Sequence, residues 1–138
     1  MPSQSVKPPG AWPTGHETIL VVEDETLLRE LITQMLKGCG FDVLSADSGK
    51  AARAIWRDSR HRIELLLTDI VMPEMTGLEL AAILQAERPE LKIIFMSGHD
   101  LDLKVEGTAL IEGVNFMPKP YQIRKLAQAI RERLDQAG

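Results

Sequence analysis

Residues 19–40 read ILVVEDETLLRELITQMLKGCG, and two periodicities meet inside this stretch. Residues 19–22 are aliphatic without polar alternation, as in a strand buried on both faces. After Glu23-Asp24-Glu25 the pattern changes. Leu27/Leu28, Leu31/Ile32 and Met35/Leu36 recur at helical spacing and are expected to share one inward face, until Gly38 and Gly40 stop the helix. A strand that leads straight into a helix is the first half of a βαβ unit.

The same alternation continues along the chain. Strand-like runs return at 42–46, 65–68, 92–96 and 114–117. A second helix is expected to start at Ser48 as N-cap and to bury Ala51, Ala52 and Ile55. The third opens with the capping box Thr76-Gly77-Leu78-Glu79 and ends before Pro89. Near 101–112 the apolar spacing is loose and Gly107 interrupts it, so a short or mobile helix is expected. The last helix should run from about residue 121 to 135, with Ile123, Leu126/Ala127, Ile130 and Leu134 inward. Strands that alternate strictly with helices imply a parallel sheet covered on both faces. Five such units at this length suggest an α/β, flavodoxin-like doubly wound fold. Its strand order is 2-1-3-4-5, with ligands outside the carboxyl ends of the strands at the switch point.

The 138 residues suffice for one domain, and the 44% hydrophobic and 26% charged content is that of an ordinary globular chain. A formal charge of −4 disfavours non-specific binding to nucleic acid or anionic lipid. Cys39 is alone and has no internal disulfide partner. No apolar run approaches the roughly 20 residues of a membrane span, and no signal peptide is visible, so a cytoplasmic location is expected. Residues 1–16 hold four of the eight prolines and little apolar content. They read as a flexible Pro/Gly-rich tail or linker, with 17–138 as the domain.

The switch-point rule picks out particular side chains. Strand 1 ends at Glu23-Asp24, followed by Glu25; strand 3 ends at Asp69, strand 4 at Ser97-Gly98 and strand 5 at Lys119-Pro120. Taken singly, each has an ordinary explanation: acids before a helix suit its dipole, and most lysines are solvated. Their delivery to one sheet edge by four strands is the informative feature. Crowded carboxylates repel one another unless a cation joins them, and all-oxygen ligands suit Mg²⁺ rather than zinc. A carboxylate beside such an ion can attack phosphorus, with an ammonium and a hydroxyl to compensate the phosphoryl oxygens. These parts fit phosphoryl transfer onto Asp69.

In these residues the chain resembles the receiver domain of two-component response regulators. The matching pieces are Ile19-Leu20-Val21-Val22-Glu23-Asp24-Glu25, Leu66-Leu67-Thr68-Asp69-Ile70-Val71-Met72-Pro73 with Gly77, Phe95-Met96-Ser97-Gly98, and Phe116-Met117-Pro118-Lys119-Pro120. The wording is also similar to receivers at the C-terminus of hybrid histidine kinases, and stand-alone receivers are the other context. The resemblance implies Asp69 as phospho-acceptor, Asp24 as direct Mg²⁺ ligand, Glu23 as ligand directly or through water, and the Val71 carbonyl as a further ligand. It implies Ser97 as switch hydroxyl, Phe116 as switch aromatic and Lys119 as the phosphoryl-binding lysine, often followed by a cis peptide. The implied partner is a histidine kinase or histidine phosphotransfer domain, with room for a weak homodimer and no direct nucleic-acid contact. Such a module accepts a phosphoryl group and is not a turnover enzyme.

Departures are small: Glu23 stands where Asp is commoner, and Ser97 where Thr is. Val71 and His99 occupy positions that tune dephosphorylation in the family. A Mg²⁺-dependent phosphatase on the same fold would want a second Asp two residues after the nucleophile, where this chain has Val71. A flavin carrier would need a glycine- and hydroxyl-rich loop in place of the three acids. The remaining alternative is a pseudo-receiver acting only as an interaction module, though such proteins usually lack one of the site residues kept here.

Overall fold

The computed structural model describes residues 12–97, 116–118 and 123–136. Five strands and four helices occur among them: β1 (Thr18–Val22), α1 (Thr26–Gly38), β2 (Asp42–Ala46), α2 (Gly49–Ser59), β3 (Ile63–Asp69), α3 (Gly77–Glu87), β4 (Lys92–Ser97), β5 (Phe116–Pro118) and α4 (Ile123–Asp135). The strands form one parallel sheet in the order β2-β1-β3-β4-β5, the expected doubly wound arrangement. The expected helix at 101–112 and the Lys119–Pro120 peptide lie outside the described residues, as do 114–115 and 121–122 at the edges of β5 and α4.

Alternation along the strands sorts their side chains into two cores. Leu20, Val22, Leu66, Ile93 and Phe95 point to the face covered by α2 and α3. Ile19, Val21, Leu65, Leu67, Ile94 and Met96 point to the face covered by α1 and α4. Local signals place the helix starts as read: Ser48 Oγ accepts from Ala51 N at 3.1 Å, and Thr76 and Glu79 exchange both bonds of a capping box.

Burial corrects the helix faces. In α1 only Ile32 and Leu36 are fully buried, whereas Leu27 is 80% and Leu31 52% exposed. Six apolar positions span too wide an arc of the helix for one sheet to cover, so the outer edge stays in solvent. In α2 the main anchor is Trp56, which the sequence reading passed over. It is 2% exposed, and its indole N–H donates to Glu87 Oε1 at 3.0 Å, tying α2 to α3. In α4 Leu126, Ala127, Ala129 and Ile130 are buried, with Leu134 partly so.

The described end of the N-terminal segment touches the domain. Gly15 N donates to the Cys39 carbonyl at 3.0 Å, and the Thr14 carbonyl accepts from Arg131 Nη1 at 3.1 Å. Gly40 is required at this crossing: its φ is +102°, and a Cβ there would sit 2.4 Å from the Gly15 oxygen. Among the described residues no helix is long and apolar enough to cross a membrane.

Candidate functional site

Sheet register explains why distant acids meet. Val22 lies opposite Thr68, and Thr68 opposite Phe95. Glu23 and Asp69 are therefore each one step beyond the same row, on adjacent strands, at the carboxyl edge. Parallel strands present all their carboxyl ends at one edge, so the convergence follows from topology.

The Glu23, Asp24 and Asp69 carboxylates each offer an oxygen within 4.8 Å of the others. Glu23 is 1% and Asp69 6% exposed, while Asp24 opens to solvent. Glu23 is firmly placed: its N–H donates to the Ala46 carbonyl at 3.1 Å, and its carbonyl accepts from Arg29 Nη1 at 2.8 Å. Its side-chain Oε2 accepts from Glu25 N at 3.0 Å, so the backbone after β1 turns around the carboxylate. The Glu25 side chain is exposed and is not part of the three-carboxylate group.

The loop after β3 is held at several points. Thr68 Oγ1 donates to the Asp69 carbonyl at 3.0 Å, Ile70 N to the Met96 carbonyl at 2.8 Å, and Gly77 N to the Ile70 carbonyl at 2.8 Å. Glu74 turns the loop in the left-handed region, with φ 72°. Gly77 passes so close that a Cβ would lie 2.0 Å from the Asp69 carbonyl oxygen. The sequence comparison singled out Gly77, but this contact between loop ends could only be read from the fold. Val71 is 57% exposed on the same loop.

Ser97 ends β4, beside β3, and is 3% exposed; its hydroxyl has no hydrogen-bond partner among the described residues. A buried hydroxyl in that condition costs stability in the state where it is unpaired. Phe116 is 5% exposed and already packed in the α2/α3 core, in register with Phe95. The ring is thus inward in this structure, and the hydroxyl is the group with an unmet bond. Lys119, Gly98 and His99 lie outside the described residues. The structure brings together Glu23, Asp24 and Asp69, as expected, and places Ser97 at the end of the neighbouring strand.

A parallel sheet in this order, with three carboxylates at its switch point, defines a doubly wound domain with an acidic crevice. The family model described as response regulator receiver domain matches residues 19–131, and the chain belongs to that family. It is 34% identical over 116 residues to the response regulator receiver protein CpdR of Brucella abortus, covering 84% of this chain and 95% of that one. It is 33% identical over 122 residues to the sensor kinase CckA of the same organism, covering 88% of this chain but 13% of the kinase. It also spans 24% and 51% of two transcriptional regulators that it matches. The response regulator TrrA of Thermotoga maritima, solved in complex with Mg²⁺–BeF, superposes with a TM-score of 0.72 at 25% identity, covering 85% of this chain and 98% of that one. The chain is therefore a receiver domain of two-component signalling.

Proposed function

We propose that Asp69 accepts a phosphoryl group from a phosphohistidine on a histidine kinase or histidine phosphotransfer domain. The observation that carries this reading is the meeting of Glu23, Asp24 and Asp69 within 4.8 Å at the carboxyl edge of adjacent strands. Family membership supports it, as does the Mg²⁺–BeF named for TrrA.

The donor set fits Mg²⁺: it is all oxygen, and Asp24 opens to solvent, leaving positions for water and a phosphoryl oxygen. Asp24, Asp69 and the Val71 carbonyl would hold the ion, with Glu23 as ligand directly or through water. Bound there, it would relieve carboxylate repulsion and neutralise charge on the phosphoryl oxygens. An Asp69 carboxylate oxygen attacks phosphorus in line. The P–N bond to the donor imidazole breaks with its electron pair left on that nitrogen, and because the other ring nitrogen carries a proton the imidazole leaves neutral. Lys119 offers an ammonium to the phosphoryl oxygens. The Ser97 hydroxyl, without a partner among the described residues, donates to one of them, while Phe116, the switch aromatic, is already packed in the α2/α3 core. The population then shifts between two packed states, which changes the surface offered to downstream proteins. The module works in the cytoplasm without turnover on a free substrate, and residues 1–16 serve as a tail or linker.

Intact-protein mass after incubation with acetyl phosphate tests the reading. One phosphoryl adduct is expected with Mg²⁺, and none with chelator or in Asp69→Asn. Beryllofluoride binding, followed in parallel, covers rapid hydrolysis. Failure of both would leave a phosphorylation-independent interaction module.

A further inference from the structure

The outer surface of α2 differs in charge from the other helices. Lys50, Arg53, Arg57 and Arg60, the last being its C-cap, fall at i, i+3, i+7 and i+10 and are all exposed. That spacing puts them on one stripe of the helix, about 15 Å long. Lys50, Arg53 and Arg57 have no ion pair among the described residues, and Arg60 meets Glu87 only at 3.9 Å. By contrast α4 interleaves its signs, with Arg131 bonded to Asp135 four residues on. Within α2, Asp58 is the one acid and lies off the stripe.

At its amino end this arrangement works against the stability of α2, whereas Arg57 in the last turn and Arg60 at the C-cap lie where the helix dipole favours cations. Successive cations at i, i+3 and i+4 repel one another, and the first turn carries Lys50 and no acid where the helix dipole favours the opposite. The stripe also stands out against the whole: with its four positive charges set aside from the formal −4, the rest of the chain carries −8. An anionic partner is therefore attracted along one line and repelled elsewhere, which fixes its position and direction.

We propose that α2 is a docking rail for an acidic helical segment of a partner protein, with carboxylates at i, i+3 or i+4, and i+7 on one face. Arg53, Arg57 and Arg60 supply planar forks suited to carboxylates. A helix of matching length meets the stripe without running over the acidic remainder, whereas an extended nucleic acid cannot avoid it. A lipid surface is disfavoured because none of the exposed large hydrophobic residues lies on α2. The rail is on the sheet face opposite α1 and α4, so its partner need not share their surface with another protein.

The test is backbone-amide NMR titration of the full chain with a designed helical peptide of about 20 residues, carrying Glu at i, i+3, i+7 and i+10 among Gln and Ala. A control peptide has the same composition with Glu spread around the helix. The patterned peptide should perturb residues 50–62 and bind more tightly than the control. The affinity should fall on the order of tenfold in Arg53→Glu/Arg57→Glu, and again toward about 0.5 M salt. Arg53→Gln/Arg57→Gln serves if the reversal impairs folding, and an unchanged acetyl-phosphate adduct shows that the variant is intact. Equal binding of both peptides, shifts centred away from α2, or unaltered affinity in the variants would overturn the proposal. Tighter binding of a DNA duplex or of anionic vesicles through the same residues would overturn it too.

Discussion

A buried carboxylate lies near each end of β1, and the protein treats the two in opposite ways. At the amino end, Glu17 receives a two-pronged guanidinium: Arg131 Nη1 and Nη2 donate to its oxygens at 3.0 and 2.5 Å. The same arginine reaches Asp135 at 2.8 Å and lies 5.9 Å from the Phe41 ring. The Arg131 hydrogen bond lowers the Glu17 pKa to about 2, and the charge is settled within the chain. At the carboxyl end, six residues on, Glu23 meets two further carboxylates. The first arrangement fastens α4 and the N-terminal segment to the sheet, and the second brings three carboxylates together where a divalent cation would reduce their repulsion. Folding stability and chemical readiness are thus drawn from opposite edges of one strand.

The most damaging way to break the contrast is Arg131→Ala. It strands a carboxylate whose side chain is 10% exposed and removes the Thr14 bond as well. A loss of about 3 kcal/mol in urea unfolding at pH 7 is expected. The clamp also has a pH signature. Because the folded-state pKa of Glu17 lies below its ordinary 4.5, the stabilisation is complete above that value and fades as pH falls toward 2. Wild-type stability should therefore drop more steeply than that of Arg131→Ala between about pH 5 and 2. Parallel curves would show that Glu17 is not the group responsible.

At the other edge the expected sign reverses. Asp24→Asn removes one of three mutually repelling charges, so without divalent ions it should stabilise the fold by about 1 kcal/mol. With Mg²⁺ the order should invert. Wild type should gain about 1.4 kcal/mol when the ion is tenfold above its dissociation constant, and the variant should gain much less. A destabilised Asp24→Asn in chelator would mean that the cluster is held together by its own hydrogen bonds and is not waiting for a cation.

How much of this was legible in the sequence depended on the range of each signal. Strands stood out as continuous aliphatic runs, and the starts of α2 and α3 through caps spanning three residues, because both signals are local. The acids were legible because strand ends can be counted and a parallel sheet gathers them. Trp56 was missed because its partner Glu87 lies 31 residues away, and the Glu17–Arg131 clamp because its partners lie 114 apart. Leu27 and Leu31 misled for a related reason: helical spacing shows that apolar residues share a face, but only the neighbouring sheet decides how much of it is covered.

The smallest expected effect sharpens the comparison most finely. Glu25 belongs to the same acidic triplet as Glu23 and Asp24, and the sequence reading sets it just beyond the strand end that they form. In the structure its backbone N–H binds Glu23 Oε2, its side chain is exposed, and it makes no side-chain cap for α1. Only its proximity to the helix dipole should register, so Glu25→Gln should change stability by no more than about 0.5 kcal/mol. The wild-type response to Mg²⁺ should survive within about twofold, because the carboxylate contributes only weak, screened attraction from outside the cluster. A loss of the Mg²⁺ response as deep as in Asp24→Asn would place Glu25 among the ligands. It would also mean that the backbone after β1 turns differently once the crevice is filled.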